Sequence, residues 1–275
     1  MRFLANVVAL ALGSLGQACS RSSQPPASKP LAGSDSLTRE TRSLTVGTSA
    51  ERWALMWTSP PAPACTPETD SLWMTCPCVG FAFGEQGHAM LVRRRAGLPD
   101  QRLGLDSLFD DAPTTRRGLA VLERWPASER DYDSAGTPGL VERVRAHAPA
   151  QLMDFADYDH DGQATEFTLK VGNAACGHDE VVLLGVSPRH PTLHVFGTVL
   201  HPQVPLKLQS ADWQALRRSG GDTTVVEWAC GDHGASTELD LHLSAGADGI
   251  RADSLMYECS GPRGERGRLR SKRAF

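Results

Sequence analysis

The residues best placed to do chemistry lie at 155–167, FADYDHDGQATEF, where Asp157, Asp159 and Asp161 alternate and run into Gly162. Alternate side chains converge when the backbone between them turns tightly, and a glycine after the third supplies the bend. Three carboxylates crowded together repel unless a cation sits among them. The pattern therefore predicts a hard-oxygen site for Ca2+, which takes about 6–8 oxygen ligands. The expected shell is Asp157, Asp159, Asp161, the Gln163 carbonyl, and Thr165 directly or through water. A further carboxylate must come from Glu166, Asp154 or a remote residue such as Glu180. The plainer alternative is an Asx-rich turn with solvated carboxylates. His160 falls at a non-ligating position and is expected on the surface.

The loop resembles those of the EF-hand family over about a dozen residues, with one departure. Thr168 stands at the twelfth position, where that family places a bidentate glutamate, and the residues after the loop, EFTLKV, read as a strand instead of a helix. It is closer to the EF-hand-like loops of periplasmic sugar-binding proteins, in which a strand follows and a distant carboxylate completes the shell. It is also similar to the Asp-rich loops of FG-GAP β-propeller repeats, although here it occurs once. These resemblances imply a local metal site, and neither fold nor activity.

Seven cysteines punctuate the chain: Cys19, Cys65, Cys76, Cys78, Cys176, Cys230 and Cys259. Setting Cys19 aside leaves six, an even number that reads as a disulfide framework in an exported chain. Cys65 is expected to pair with Cys76 or Cys78, and a second bridge to come from Cys176, Cys230 and Cys259. The rival is a zinc site using Cys76 and Cys78 with the Cys-Gly turns that carry His178 and His233. Zinc ligands, however, favour cysteine pairs two to four residues apart, and each later cysteine stands alone. Catalytic candidates are scattered: His88, His178 beside Asp179, and His233 beside Asp232. No nucleophile-elbow, zincin or phosphate-loop motif accompanies them.

Arg2 followed by an apolar run to Leu15 reads as an export signal, too short to span a bilayer as a mature helix. Gly16-Gln17-Ala18-Cys19 resembles the lipobox of bacterial lipoproteins, which implies lipidation of Cys19 and anchoring to a membrane, although the family prefers a large aliphatic residue where Gly16 stands. Ordinary cleavage after Ala18 is the alternative. The Ser-, Pro- and Thr-rich residues 20–49 read as a mobile tether. A net charge of −4 and few aromatics, with only three Tyr and eight Phe, argue against nucleic acid as a partner. The segments ATEFTLKVGNAACG and VVEWACGDHG are similar to parts of a group of uncharacterised exported bacterial proteins, which implies location and no chemistry.

To position these residues the sequence offers a mainly β fold (α+β minor), with antiparallel sheets, one or two short helices and disulfide staples. A signal peptide at 1–18 and a lipid-anchor cysteine with tether at 19–49 precede a globular domain at 50–262, divisible at 50–135 and 150–262. A frayed basic tail at 263–275 follows. Within the domain, 51–57 reads as a short amphipathic piece, and 79–83 with 89–94 as a hairpin closed by Gly84-Glu85-Gln86-Gly87-His88. Strands are expected at 103–109, 118–125, 165–171, 181–186 and 192–200, and a short helix at 140–147. A helix capped by Ser210 ends at Gly220-Gly221, and a three-strand meander runs over 223–228, 236–243 and 250–258. The expected function is an exported, membrane-anchored binding or structural protein of the cell envelope, with Ca2+ as structural cofactor and an unidentified protein or glycan ligand. The alternative is a secreted hydrolase using His178 or His233.

Overall fold

The run at 181–186, Val-Val-Leu-Leu-Gly-Val, contains no polar residue. A strand of that composition must be covered on both faces, and that requirement organises the molecule. The computed structural model describes residues 37–109, 118–173, 178–246, 248–260 and 264–275. The signal peptide, Cys19 and Cys176 lie outside the described residues.

In chain order the strands begin with β1 (Thr38–Val46), β2 (Ser49–Trp57), β3 (Ala62–Ala64), β4 (Gly84–Gly87), β5 (Ala89–Arg95), β6 (Gln101–Gly104) and β7 (Ala120–Glu123). Two short helices, α1 (Glu129–Asp133) and α2 (Leu140–Arg145), follow. The chain continues with β8 (Glu166–Asn173), β9 (Asp179–Gly185), β10 (His194–Val195) and helix α3 (Ser210–Arg218). It ends with β11 (Asp222–Trp228), β12 (Thr237–Gly246), β13 (Gly249–Ser260) and β14 (Glu265–Ala274). Four antiparallel sheets result, ordered β1-β2-β5-β6, β3-β4-β7, β10-β9-β8 and β11-β12-β13-β14.

Alternation along β9 divides the interior. Val182 and Leu184 join Phe167, Leu169 and Val171 of β8 in a core with Trp53, Leu55 and Trp57 of β2. Val181 and Leu183 join a second core with Tyr158, Trp213, Leu216, Leu241, Leu243 and Ile250. The sheet β10-β9-β8 is thus a middle layer, with the N-terminal sheets on one side and α3 with the C-terminal sheet on the other. Residues of 50–135 and of 150–262 share the first core, so the expected division does not follow the packing.

A buried ion pair ties the first layer to the middle one. Arg93 Nη2 and Nε donate to the two oxygens of Glu51, each at 2.6 Å, while Nη1 donates to the Pro191 carbonyl at 2.8 Å. Trp53 packs against the Arg93 guanidinium and donates to Glu51 at 3.1 Å.

Several expectations are corrected. The hairpin over 79–94 does not form: 78–81 is a 3-10 turn, and the connection 84–87 is itself a strand pairing with β3 and β7. The apolar alternation at 79–83 serves a turn tied down by the Cys65–Cys78 disulfide and by Gly80, where a Cβ would lie 2.5 Å from Asn173. The tether is shorter than expected, because 38–46 pairs with β2 and Arg39 Nη2 donates to the Glu123 and Ala150 carbonyls. The tail is not frayed. Its cations meet acids on β12 and β13, Arg266 with Glu238 and Asp240 and Lys272 with Asp253, which adds β14 to the expected meander. The expected strand 192–200 shrinks to two residues, and α3 is capped by Gln209 and Asp212 instead of Ser210.

Among the described residues the disulfides are Cys65–Cys78 and Cys230–Cys259. Two of the four sulfurs so used, those of Cys78 and Cys230, belong to the rival zinc set, so that set is not available as drawn. Cys76 is free of a disulfide among the described residues and accepts a hydrogen bond from Asn173 Nδ2 at 3.5 Å.

Candidate metal centre

The Asp-rich loop is closed at its base by backbone pairing. Ala156 N–H donates to the Glu166 carbonyl at 2.8 Å and Glu166 N–H to the Ala156 carbonyl at 3.3 Å. This bridge turns the Glu166 side chain back under the loop, where Oε2 accepts the Tyr158 N–H at 3.1 Å. The Thr165 hydroxyl donates to Glu166 Oε1 at 2.5 Å and also contacts the Val186 carbonyl at 3.0 Å. Gly185 lies opposite Glu166 in the register, and a Cβ there would come within 2.6 Å of the Thr165 carbonyl. Only glycine permits that approach.

The other end of the loop is held by the second core and α3. Tyr158 is fully buried edge-on to Trp213, and its phenol oxygen accepts from Gln214 Nε2 at 2.9 Å. His160 adopts a left-handed φ of 56° and donates from Nε2 to the Leu216 carbonyl at 3.1 Å. The expected surface histidine is therefore half-buried and fixes the loop to the end of the helix.

Between these anchors the loop amides organise the carboxylates. Asp161 N–H lies 3.1 Å from Asp157 Oδ1 and 3.2 Å from Asp159 Oδ1, Gly162 N–H donates to Asp157 Oδ2 at 3.0 Å, and Gln163 N–H to Asp161 Oδ1 at 2.7 Å. Gly162 has φ 90°, as its place after the third aspartate requires.

Asp157, Asp159 and Glu166 converge, with one carboxylate oxygen from each lying within 4.8 Å of the others. Asp161 stands outside this trio, and its Oδ2 is buried without a hydrogen-bond partner among the described residues. Of the three candidates for the further carboxylate, Glu166 is the one brought in. Asp154 is exposed, and Glu180 pairs with Lys207 at 3.2 Å. Thr165 is placed to orient Glu166. The sequence held no local signal for the parts played by Tyr158, Val186 and Leu216; the glycine interrupting an apolar strand at 185 was the legible one.

The electrostatics follow from burial and crowding. Burial pushes Glu166 up to about 9, with Asp159 adding to the shift. Burial likewise pushes Asp159 up to about 7, reinforced by Asp161 and Asp157. Asp161 is raised as well, burial again leading. Carboxyl groups in this state resist ionisation until a cation compensates them. An all-oxygen donor set, an orphaned carboxylate oxygen and three convergent acids fit a hard divalent cation better than a soft one.

Of the remaining candidates, His88 pairs with Asp106 at 2.7 Å, and His178 lies against Trp228 with ring centres 5.9 Å apart. Comparison with protein-family models, with curated proteins and with solved structures finds no match for this chain.

Proposed function

We propose that the protein is an exported, membrane-anchored binding or structural component of the cell envelope, stabilised by one calcium ion. The observation that carries the calcium reading is the convergence of Asp157, Asp159 and Glu166 within 4.8 Å on a loop fixed at both ends. The loop joins the start of β8 to α3, so a bound cation would clamp the middle layer to the helical side. Such a clamp favours stiffening over a large switching motion, because loop and helix are already packed through Tyr158, Trp213 and His160.

Export is supported by the N-terminal apolar run and by two disulfides, which persist in oxidising compartments. Anchoring rests on Cys19 and its lipobox-like setting. No helix among the described residues is long and apolar enough to cross a membrane. The hydrolase alternative gains no support from His178, whose ring faces Trp228.

Thermal unfolding with and without Ca2+ tests the reading. At ~1 mM Ca2+ and a dissociation constant of ~10⁻⁴ M, linkage adds about 1.4 kcal/mol. For a unit of this size that is a rise of about 3–6 °C in Tm. Asp159→Ala is expected to abolish the gain; a wild-type Tm indifferent to Ca2+ would remove the site.

A further inference from the structure

The acidic loop contributes to the lining of a cleft of about 1180 Å³, and the segment around β10 forms another part of its wall. That wall carries His190 and His194, whose ring centres are 5.3 Å apart. We propose that His190 and His194 together bind a divalent cation of the nitrogen-preferring class, Zn2+ or Cu2+, at a site separate from the carboxylate trio.

The geometry begins with a fixed backbone. Ser187 N–H donates to the His190 carbonyl at 3.0 Å and His190 N–H to the Ser187 carbonyl at 3.1 Å, closing a reciprocal turn. Pro191 is held through its carbonyl by Arg93, and Leu193 N–H donates to Gln101 Oε1 at 3.1 Å. His194 belongs to β10, paired with Gly185 of β9. Both imidazoles are therefore presented from backbone that is hydrogen-bonded on either side.

The chemistry of the rings agrees. His194 Nδ1 lies 2.9 Å from the Thr192 carbonyl, which can only accept, so Nδ1 carries the proton and Nε2 keeps a lone pair. A ring N–H given to a carbonyl is the arrangement that orients metal-binding histidines. Phe196 packs on the same ring, with centres 4.3 Å apart, and limits its rotation. A metal about 2.0–2.1 Å from an imidazole nitrogen lies roughly 3 Å from the ring centre, so two rings 5.3 Å apart can flank one ion.

The neighbouring cation does not oppose this. Arg189, adjacent to His190, is paired with the Asp248 carboxylate. No third His, Cys, Asp or Glu joins the pair among the described residues, so water completes the shell and open positions face the cleft. Imidazole donors suit Zn2+ and Cu2+, whereas the carboxylate trio suits Ca2+. The two sites therefore sort cations by ligand type.

The test titrates the full chain, disulfides intact, with Cu2+ alone under electron paramagnetic resonance and with Zn2+ alone by calorimetry. Wild type is expected to take up one equivalent with a two-nitrogen Cu2+ signature. His190→Gln, at an exposed position, and His194→Gln are each expected to weaken that uptake at least tenfold. The Ca2+-dependent rise in Tm should remain in both, which separates this site from the acidic loop. Variants that titrate like wild type, or a wild type that takes up no equivalent, overturn the proposal.

Discussion

Two groups of buried carboxyls flank α3, and they resolve the same electrostatic problem differently. Asp212 and Glu227 form a pair. Burial and then the contact with Glu227 push Asp212 up to about 8, while the Glu227 Oε1 atom has no hydrogen-bond donor among the described residues. One proton on Asp212 supplies that donor and removes one charge. The trio Asp157, Asp159 and Glu166 cannot be satisfied so cheaply, since a single proton leaves two of its converging groups charged. Pairs of acids can share a proton; three acids aimed at one point call for a multivalent cation. The Glu51–Arg93 pair is the internal standard for both, a buried carboxylate whose countercharge is built into the chain.

The largest effect is expected where the cation is covalently part of the protein. Arg93→Ala leaves Glu51 charged and buried and releases the Pro191 carbonyl, so urea unfolding should show a loss of about 3–5 kcal/mol. A loss below 1 kcal/mol would mean that Glu51 is relieved by some other group, and the standard would fail.

Glu166→Gln comes next and distinguishes trio from pair by sign. In 1 mM Ca2+ it should remove the roughly 1.4 kcal/mol gain set by linkage. In calcium-free buffer at pH 8 it should raise Tm, because Glu166, with a folded pKa of about 9, must take up a proton on folding and glutamine need not. A calcium-free Tm that falls instead would show Glu166 to be a plain hydrogen-bonding residue.

Some of this was legible in the sequence, for identifiable reasons. Asp157, Asp159, Asp161 and Gly162 are contiguous, and alternation followed by glycine encodes a turn directly. Glu166 was among the candidates because the chain is short there, but the choice over Asp154 and Glu180 depended on the Ala156–Glu166 bridge, which is tertiary pairing. The meander 222–260 was legible from the alternation of Glu238, Asp240 and His242 with leucines. The final strand was not, because Arg266, Arg268 and Lys272 show no apolar alternation and are recruited by acids on neighbouring strands. The false hairpin at 79–94 arose because VGFAF has strand-like apolar content, while its actual shape is set by a disulfide and by contact with Asn173.

The Asp212–Glu227 pair makes a pH statement that can be checked next. Asp212 has a folded pKa near 8 against an ordinary value of 3.8, so the folded state holds a proton that the unfolded chain releases. Its stabilisation is complete below about pH 4 and declines as pH rises through 8. Asp212→Asn keeps a neutral side chain throughout and should flatten the decline between about pH 4 and 8, with a cost of about 1 kcal/mol at pH 5 from altered hydrogen bonding. An unchanged slope in the variant would assign the pH dependence elsewhere.

The smallest effect is expected at the surface, and its pH sign is opposite. Lys272 Nζ lies 2.9 Å from Asp253 Oδ2 on the β13–β14 ladder, and this contact holds Asp253 below its ordinary range. The stabilisation is present above the ordinary carboxylate pKa and is lost as pH falls through the depressed value. Because Lys272 is largely solvated, Lys272→Ala should cost about 0.2–1 kcal/mol in dilute buffer and less in high salt. If the cost persists undiminished at high salt, the ion pair is not what recruits β14. The strand would then depend on its backbone ladder and on Phe275, whose N–H donates to the Ala252 carbonyl at 3.0 Å and whose ring packs against the second core.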